Sequence, residues 1–302
     1  MQALYAFFRD EKADVKVAEK NLFTSIDKSY ELFLYLLSFL NNLQFVARIS
    51  MEEARAKRLP TQQDLNPNMK FVNNLFLTAL NENKHINDAW KKYKVSWQND
   101  QDLVRKVFNE IKNTTFFKEY LQNEQHSFNE DKKFIQTILE SFLYEHELFN
   151  FWFDEKNIYW TDDYYYGFYF LSHWMDAVTE NKMPAPKLYR DEEGDTKFVS
   201  DVFIKTILHS NEFENMITEH TKNWELERIA SLDVLLMKMA LSEILYLPSI
   251  PIKVSMNEYI DITKEYSTPQ SGGFINGILD KIVLELKDQN KIQKTGRGLL
   301  EG

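Results

Sequence analysis

A chain of 302 residues has room for one large or two ordinary domains, and its 44% hydrophobic residues, with 23 Phe, 15 Tyr and 6 Trp, supply ample core material. Its formal charge of -10, from 36 basic and 46 acidic residues, excludes a generalist nucleic-acid binder, because phosphate affinity grows with the number of cationic contacts. The absence of cysteine excludes disulfides, thiolate catalysis and Cys-based zinc sites. Only 8 Gly and 7 Pro suit long helices with few turns. No run approaches the roughly 18 consecutive apolar residues of a membrane helix; the most apolar, Leu32 to Leu40, is too short. No cationic n-region followed by an apolar h-region opens the sequence, and the expected compartment is the cytoplasm.

Met1 to Phe8 reads as the middle of a helix, with neither a capping residue nor a polar lead-in. From this the natural chain is expected either to start upstream of Met1 or to tolerate a frayed beginning. Leu32, Leu36, Phe39, Leu40, Leu43 and Val46 recur at three- and four-residue steps and predict an amphipathic helix. Phe71, Leu75 and Leu80 predict a second, shorter one, and Phe134, Ile138, Phe142 and Leu143 a third. The stretch from Tyr159 to Trp174 is dense in aromatic rings. Such rings can stack single-stranded bases, but no cation lies among them, whereas Asp162 and Asp163 do. They are expected to pack into the core with their hydroxyls at its edge. The segment Asn181 to Gly194, with Pro184, Pro186 and a charged run from Arg190, reads as a linker, placing a boundary near residue 190 between a helical region (1–190) and a second domain (191–302). Phe134 to Ser141 and Phe203 to Ser210 agree at six of eight positions; that echo fits either a duplicated unit or two amphipathic helices of like composition.

The final third predicts three helices: Ile229 to Leu247, Ser255 to Tyr266, and Pro269 to about Leu286. Pro248 and Pro251 end the first. Ser255 with Glu258 spells a capping box, and Thr268-Pro269 reads as N-cap and first helical position. Gly272, Gly273 and Gly277 sit inside the last helical pattern, where each costs about 1 kcal/mol relative to Ala. Gly273 and Gly277 share a face, which fits close helix packing. Gln270, Ser271 and Gly272 instead occupy a first turn, where free backbone N–H groups attract anions. The segment after Lys281 is mildly basic and expected to be solvated. No phosphate loop, dinucleotide fingerprint or nucleophile elbow is present. The six His are scattered, and Glu82-x-x-His85 stands alone where a di-iron bundle needs two such pairs. The residues describe a binding protein with no catalytic, metal or cofactor site.

The same C-terminal residues resemble a known family. Ile250-Pro251-Ile252-Lys253-Val254-Ser255-Met256-Asn257-Glu258, then Thr263-Lys264, then Ser271 through Lys281, are similar to the C-terminal signature of the NusB family. Glu227-Arg228-Ile229 through Leu245 resembles its central helix, and Gln2-Ala3-Leu4-Tyr5 its first, so that residues 1–8 are expected to join the second domain. The resemblance implies an all-α, NusB-like antiparallel helical bundle, here with a large additional helical region. It also implies a transcription antitermination factor, non-enzymatic, that binds boxA-like RNA with the NusE-type ribosomal protein and reaches the RNA polymerase elongation complex indirectly. By residue it assigns Gln2, Tyr5, Gln270, Ser271, Gly272 and Phe274 to RNA and Glu243 to the partner face; Asn257, Glu258 and Asn276 are expected to tie helices through buried hydrogen bonds. Two features depart from the family: its Arg-rich lead-in is missing, and Gln270 replaces a frequent acidic residue. A NusB-like domain also precedes ribosomal-RNA cytosine methyltransferases, but their catalytic cysteine is absent. The remaining alternative is a helical protein–protein module that has lost RNA binding.

Overall fold

The computed structural model describes residues 1–221 and 229–300. Glu227 and Arg228, the beginning of the expected central helix, lie outside the described residues. The chain is all-α; among the described residues the only β pairing is an isolated bridge between Thr179 and Lys182. In order come α1 (Gln2–Arg9), α2 (Val15–Arg55), α3 (Gln62–Leu65), α4 (Leu75–Glu82), α5 (Lys84–Lys92), α6 (Gln101–Asn113), α7 (Thr115–Gln122), α8 (Phe128–Ile138), α9 (Glu147–Lys156) and α10 (Tyr164–Asp176). They are followed by α11 (Glu192–Leu208), α12 (Ser210–His220), α13 (Ser231–Tyr246), α14 (Ile252–Tyr266) and α15 (Ser271–Asp288). The chain divides into two units, one joining Met1–Phe23 to Tyr189–Gly302 and the other spanning Thr24–Leu188.

In the 24–188 unit, α2 is the central element. Every residue from Leu32 to Leu40 is buried, which requires neighbours on all sides rather than on one stripe. By length and composition α2 could cross a membrane, a property hidden from a search for unbroken apolar runs, yet 72% of its most apolar window is buried inside the protein. Short helices surround it, and their starts follow local chemistry. Asn74, Asn83, Thr114, Ser127 and His146 each accept a backbone N–H of the first turn they precede, satisfying donors that a helix start otherwise leaves open. Because Asn74 caps α4, Phe71 lies in the turn before it rather than in the helix. Phe142 and Leu143 lie in a π-helical turn, Leu139–Leu143, that continues α8.

One buried acid organises this unit. Asp131, fully buried, accepts from Leu75 N (2.6 Å) and Tyr120 Oη (2.7 Å), with His126 Nε2 at 3.2 Å. Asn74 Nδ2 donates to Tyr120 Oη and to the Asp131 carbonyl. Burial and the adjacent carboxylate push the Tyr120 phenol far above its ordinary pKa, so it stays a donor.

The other unit is built on α13, which packs against α1, α11, α12, α14 and α15. Leu4 of α1 is buried in the same core. Two expected helix starts are corrected here. The Ser255–Glu258 capping box does not form: α14 begins at Ile252 behind Pro251, whose fixed φ is ready for a helix start. Ser255 therefore falls in the first turn and faces inward, while Glu258 is exposed. Likewise α15 begins at Ser271 with Gln270 at its N-cap, because residues 268–271 form a turn closed by Ser271 N to Thr268 O (3.0 Å). The end of the chain is not simply solvated. Thr295 N donates to Pro248 O (2.9 Å), and Gly298 passes so close to the same carbonyl that a Cβ would stand 2.0 Å from it.

Replacing Asp131 with Ala is expected to lower the stability of the 24–188 unit by about 3 kcal/mol, because the Leu75 N–H and the Tyr120 hydroxyl lose their acceptor in a buried site. Urea denaturation followed by tryptophan fluorescence measures this; a loss below about 1 kcal/mol would show that water reaches the knot.

Candidate functional site

The residues expected to bind RNA come from two distant parts of the sequence, and in the structure both parts meet the first turn of α13. From α1, the exposed Tyr5 lies one turn before Arg9. Arg9 Nη2 donates to Tyr5 Oη (3.1 Å) and to Ser231 Oγ (3.1 Å), and the guanidinium carbon stands 5.1 Å above the Tyr5 ring. Hydrogen bonding to Ser231, then to Arg9, and the charge of Arg9 draw the Tyr5 phenol below its ordinary pKa. From α15, Ser271 Oγ lies 2.8 Å from Thr268 Oγ1 and 3.1 Å from Ser267 Oγ, and Ser267 Oγ donates to Asp233 Oδ1. Ser231 and Asp233 are two residues apart, so one helical turn joins the two clusters.

Each expected residue has a definite place. Gln2, Tyr5 and Gln270 are exposed, and Phe274 is half-buried against the core. The Ser271 side chain is buried in the hydroxyl network, and its N–H is taken by Thr268; it builds the first turn of α15 rather than presenting a free group. The N–H of Phe274 is also engaged, with Gln270 O (3.2 Å). Of the remaining first-turn donors, that of Gly273 belongs to an exposed residue, whereas Gly272 is buried. Gly272 is in ordinary contact with Ile260 and Lys264 of α14, at 3.9 Å from a Cβ position. Close helix packing through Gly273 and Gly277 is not found. A Cβ at either would meet nothing within 4 Å, so both leave an uncovered strip of backbone on α15.

Glu243 is not a surface charge. It is 4% exposed, and its carboxylate accepts from Ser255 Oγ (2.6 Å) and Tyr259 Oη (3.1 Å), fastening α13 to α14. A partner touching this region would meet residues around Glu243 rather than its carboxylate. Nor do the expected buried ties form at Asn257 and Glu258, which are exposed, or at Asn276, whose Nδ2 donates along its own helix to Asp280 (3.0 Å). Lys294 instead completes this end of α13, donating to Leu247 O (3.0 Å) and Glu243 O (3.4 Å), where a cation also suits the helix dipole.

Sequence reasoning missed Arg9. Its signal lies in the helical step from Tyr5 to Arg9, which sets a guanidinium on the same face. It also missed Lys238, whose Nζ is held by Glu214 Oε2 (2.6 Å) and Ser210 Oγ (3.0 Å). Tyr5, Arg9, Ser231 and Lys238 line a cleft of about 720 Å³. Among the described residues no group of three or more His, Asp or Glu is placed to hold a metal.

These helices and this cluster define an all-helical binding module with a hydroxyl- and guanidinium-bearing surface around the start of one buried helix. A model of the NusB family matches residues 174–284. The chain is 45% identical over 111 residues to the transcription antitermination protein NusB of Salinibacter ruber, covering 36% of this chain and 69% of that protein. It is 44% identical over 120 residues to the protein of the same name from Desulfatibacillum aliphaticivorans (40% and 79%). Against that from Chloroherpeton thalassium it is 42% identical over 104 residues (34% and 49%). The chain belongs to the NusB family and carries a large extra helical region.

Burial lowers the Lys294 ammonium from an ordinary value of 10.5 to about 8, against a smaller opposing pull from Glu243. Between these two values the unfolded chain binds the extra proton, so this residue's contribution to stability rises with pH from about 8 to 10.5. Thermal melts of the native protein and Lys294→Met should therefore diverge in favour of the native protein as pH climbs through that window. A constant difference in Tm would show that the amine is as well solvated folded as unfolded.

Proposed function

We propose that the protein is a transcription antitermination factor of the cytoplasm. It binds boxA-type leader RNA together with a NusE-type ribosomal protein, reaches the RNA polymerase elongation complex through that assembly, and promotes ribosomal RNA transcription. Its role is adaptor rather than catalyst. The observation that carries this reading is the convergence of Tyr5–Arg9–Ser231 and Ser271–Ser267–Asp233 on the first turn of α13.

The chemistry on this surface suits a single strand. Arg9 supplies a planar donor fork for phosphate, Tyr5 and Phe274 supply rings against which a base can stack, and the exposed Gly273 offers a backbone N–H to an anion. The bare backbone at Gly273 and Gly277 lets a strand approach without meeting a side chain. One guanidinium on a protein of charge -10 holds RNA only weakly, so a basic partner provides the remaining cationic contacts and steers the encounter.

Fluorescence anisotropy with a labelled boxA-like RNA, with and without a purified NusE-type ribosomal protein, tests the reading. Binding should be weak alone and strengthen with the partner. Arg9→Gln should reduce the slope of log affinity against log salt by about 0.7, the increment for one phosphate on a single strand. Gly273→Ala should stabilise α15 by about 0.5–1 kcal/mol and still weaken RNA binding. Tight RNA binding by the lone protein with no effect of the partner would sink the adaptor reading. No RNA binding under either condition would favour the helical protein–protein module.

A further inference from the structure

Residues 140–180 hold nine acidic residues and a single basic one, Lys156. This short stretch therefore carries -8 of the chain's net -10, and the rest of the protein is close to neutral. It coincides with the aromatic-rich segment, and the expectation that those rings fill the core holds for only one side of α10. Tyr164, Phe168, Leu171 and Met175 are buried. Tyr165, Tyr166, Tyr169 and Phe170 are 38–57% exposed. At steps of one and four residues these four share a single face of the helix. Tyr144 extends the patch, its ring 4.9 Å from that of Tyr165, and His173 closes the other end, 4.2 Å from Tyr169.

Carboxylates accompany the rings. Glu140 is held beside α10 by Ser172 Oγ (2.7 Å), Glu145 follows Tyr144, Asp162 precedes the helix and Asp176 ends it; all four are exposed. Lys132 of α8 is committed to the Met175 and Val178 carbonyls at the end of α10 (3.1 and 2.8 Å). Lys156, the lone cation of the stretch, lies 4.9 Å above Trp152 and 3.3 Å from Asp100, and shows how an aromatic ring and a carboxylate together hold an ammonium.

A continuous exposed aromatic face marks an interaction site, and its charge selects the occupant. Phosphate and anionic lipid are repelled, and a second copy of the chain would bring two surfaces of the same sign together. A strand of positive side chains gains both ring-face attraction and ion pairing. We propose that the outer face of α10 is a docking site for a Lys/Arg-rich segment of a partner protein. This site is independent of the RNA-binding reading and lies on residues that the adaptor surface does not use.

The test uses the full chain and a labelled twelve-residue peptide of alternating Arg and Lys, with a Gln-substituted peptide as control. The cationic peptide alone should bind. Combined Tyr165→Ser, Tyr169→Ser and Phe170→Ser should weaken it by about tenfold or more, with an unchanged circular dichroism spectrum because the rings are exposed. Combined Glu145→Gln and Asp162→Asn should flatten its salt dependence, and both variants should leave boxA RNA binding as it was. The proposal is overturned if the peptide does not bind, or if the triple variant binds it equally, since that would be unspecific charge attraction. It is equally overturned if the face prefers single-stranded RNA or anionic vesicles, or if sedimentation shows self-association that the triple variant abolishes.

Discussion

A carboxylate taken out of water must be met by donors, and in the NusB-like unit that requirement fixes how the helices meet. α13 is buried along most of its length, yet it carries Asp233 near its start and Glu243 near its end, both at 4% exposure. Asp233 takes the Ser267 hydroxyl from the turn before α15. Glu243 takes Ser255 and Tyr259 from α14. An apolar helix could slide or rotate against its neighbours at little cost, but two buried acids with geometric demands cannot. The surface assigned to RNA depends on this, because the same turn of α13 that anchors Asp233 also presents Ser231 to Arg9.

The extra unit uses the same device with a different outcome. Asp131 gathers α4, α7 and α8 around one acceptor set, and its interior is closed by aromatic packing around α2. α10 carries rings on both its inner and outer sides, the outer ones forming a run of four. The inner rings are core. The outer ones lie exposed beside Tyr144 and His173, which is why the face is proposed as a contact surface.

Much of the fold was legible in the sequence, because three- and four-residue apolar steps and the prolines after Tyr246 report directly on helices and their ends. What was not legible depended on side-chain direction. The Ser255–Glu258 spacing is that of a capping box, but a helix that starts one turn earlier at Ile252 turns the same serine inward. A charge on a helix gives no sign of its burial, so Glu243 read as a surface residue when it is a strut. Gly273 and Gly277 share a face, and nothing in their spacing says whether that face is packed or open. Among the aromatics, the alternation of buried and exposed rings on α10 is a helical pattern hidden by uniform composition, since both faces carry the same residue types.

The NusB-like unit is discontinuous: α1 and the first turns of α2 are separated from α11 to α15 by the whole of Thr24–Leu188. During synthesis Leu4 therefore emerges long before α13, the helix against which α1 packs. At about 5–20 residues per second, the intervening segment takes on the order of ten seconds or more to translate. Through that interval α1 is an eight-residue apolar helix, too short to be stable alone, while the intervening unit has all of its own core residues and can close first. The chain order thus lets the inserted unit close first, while the core of the family fold stays incomplete until the last third of the protein is made.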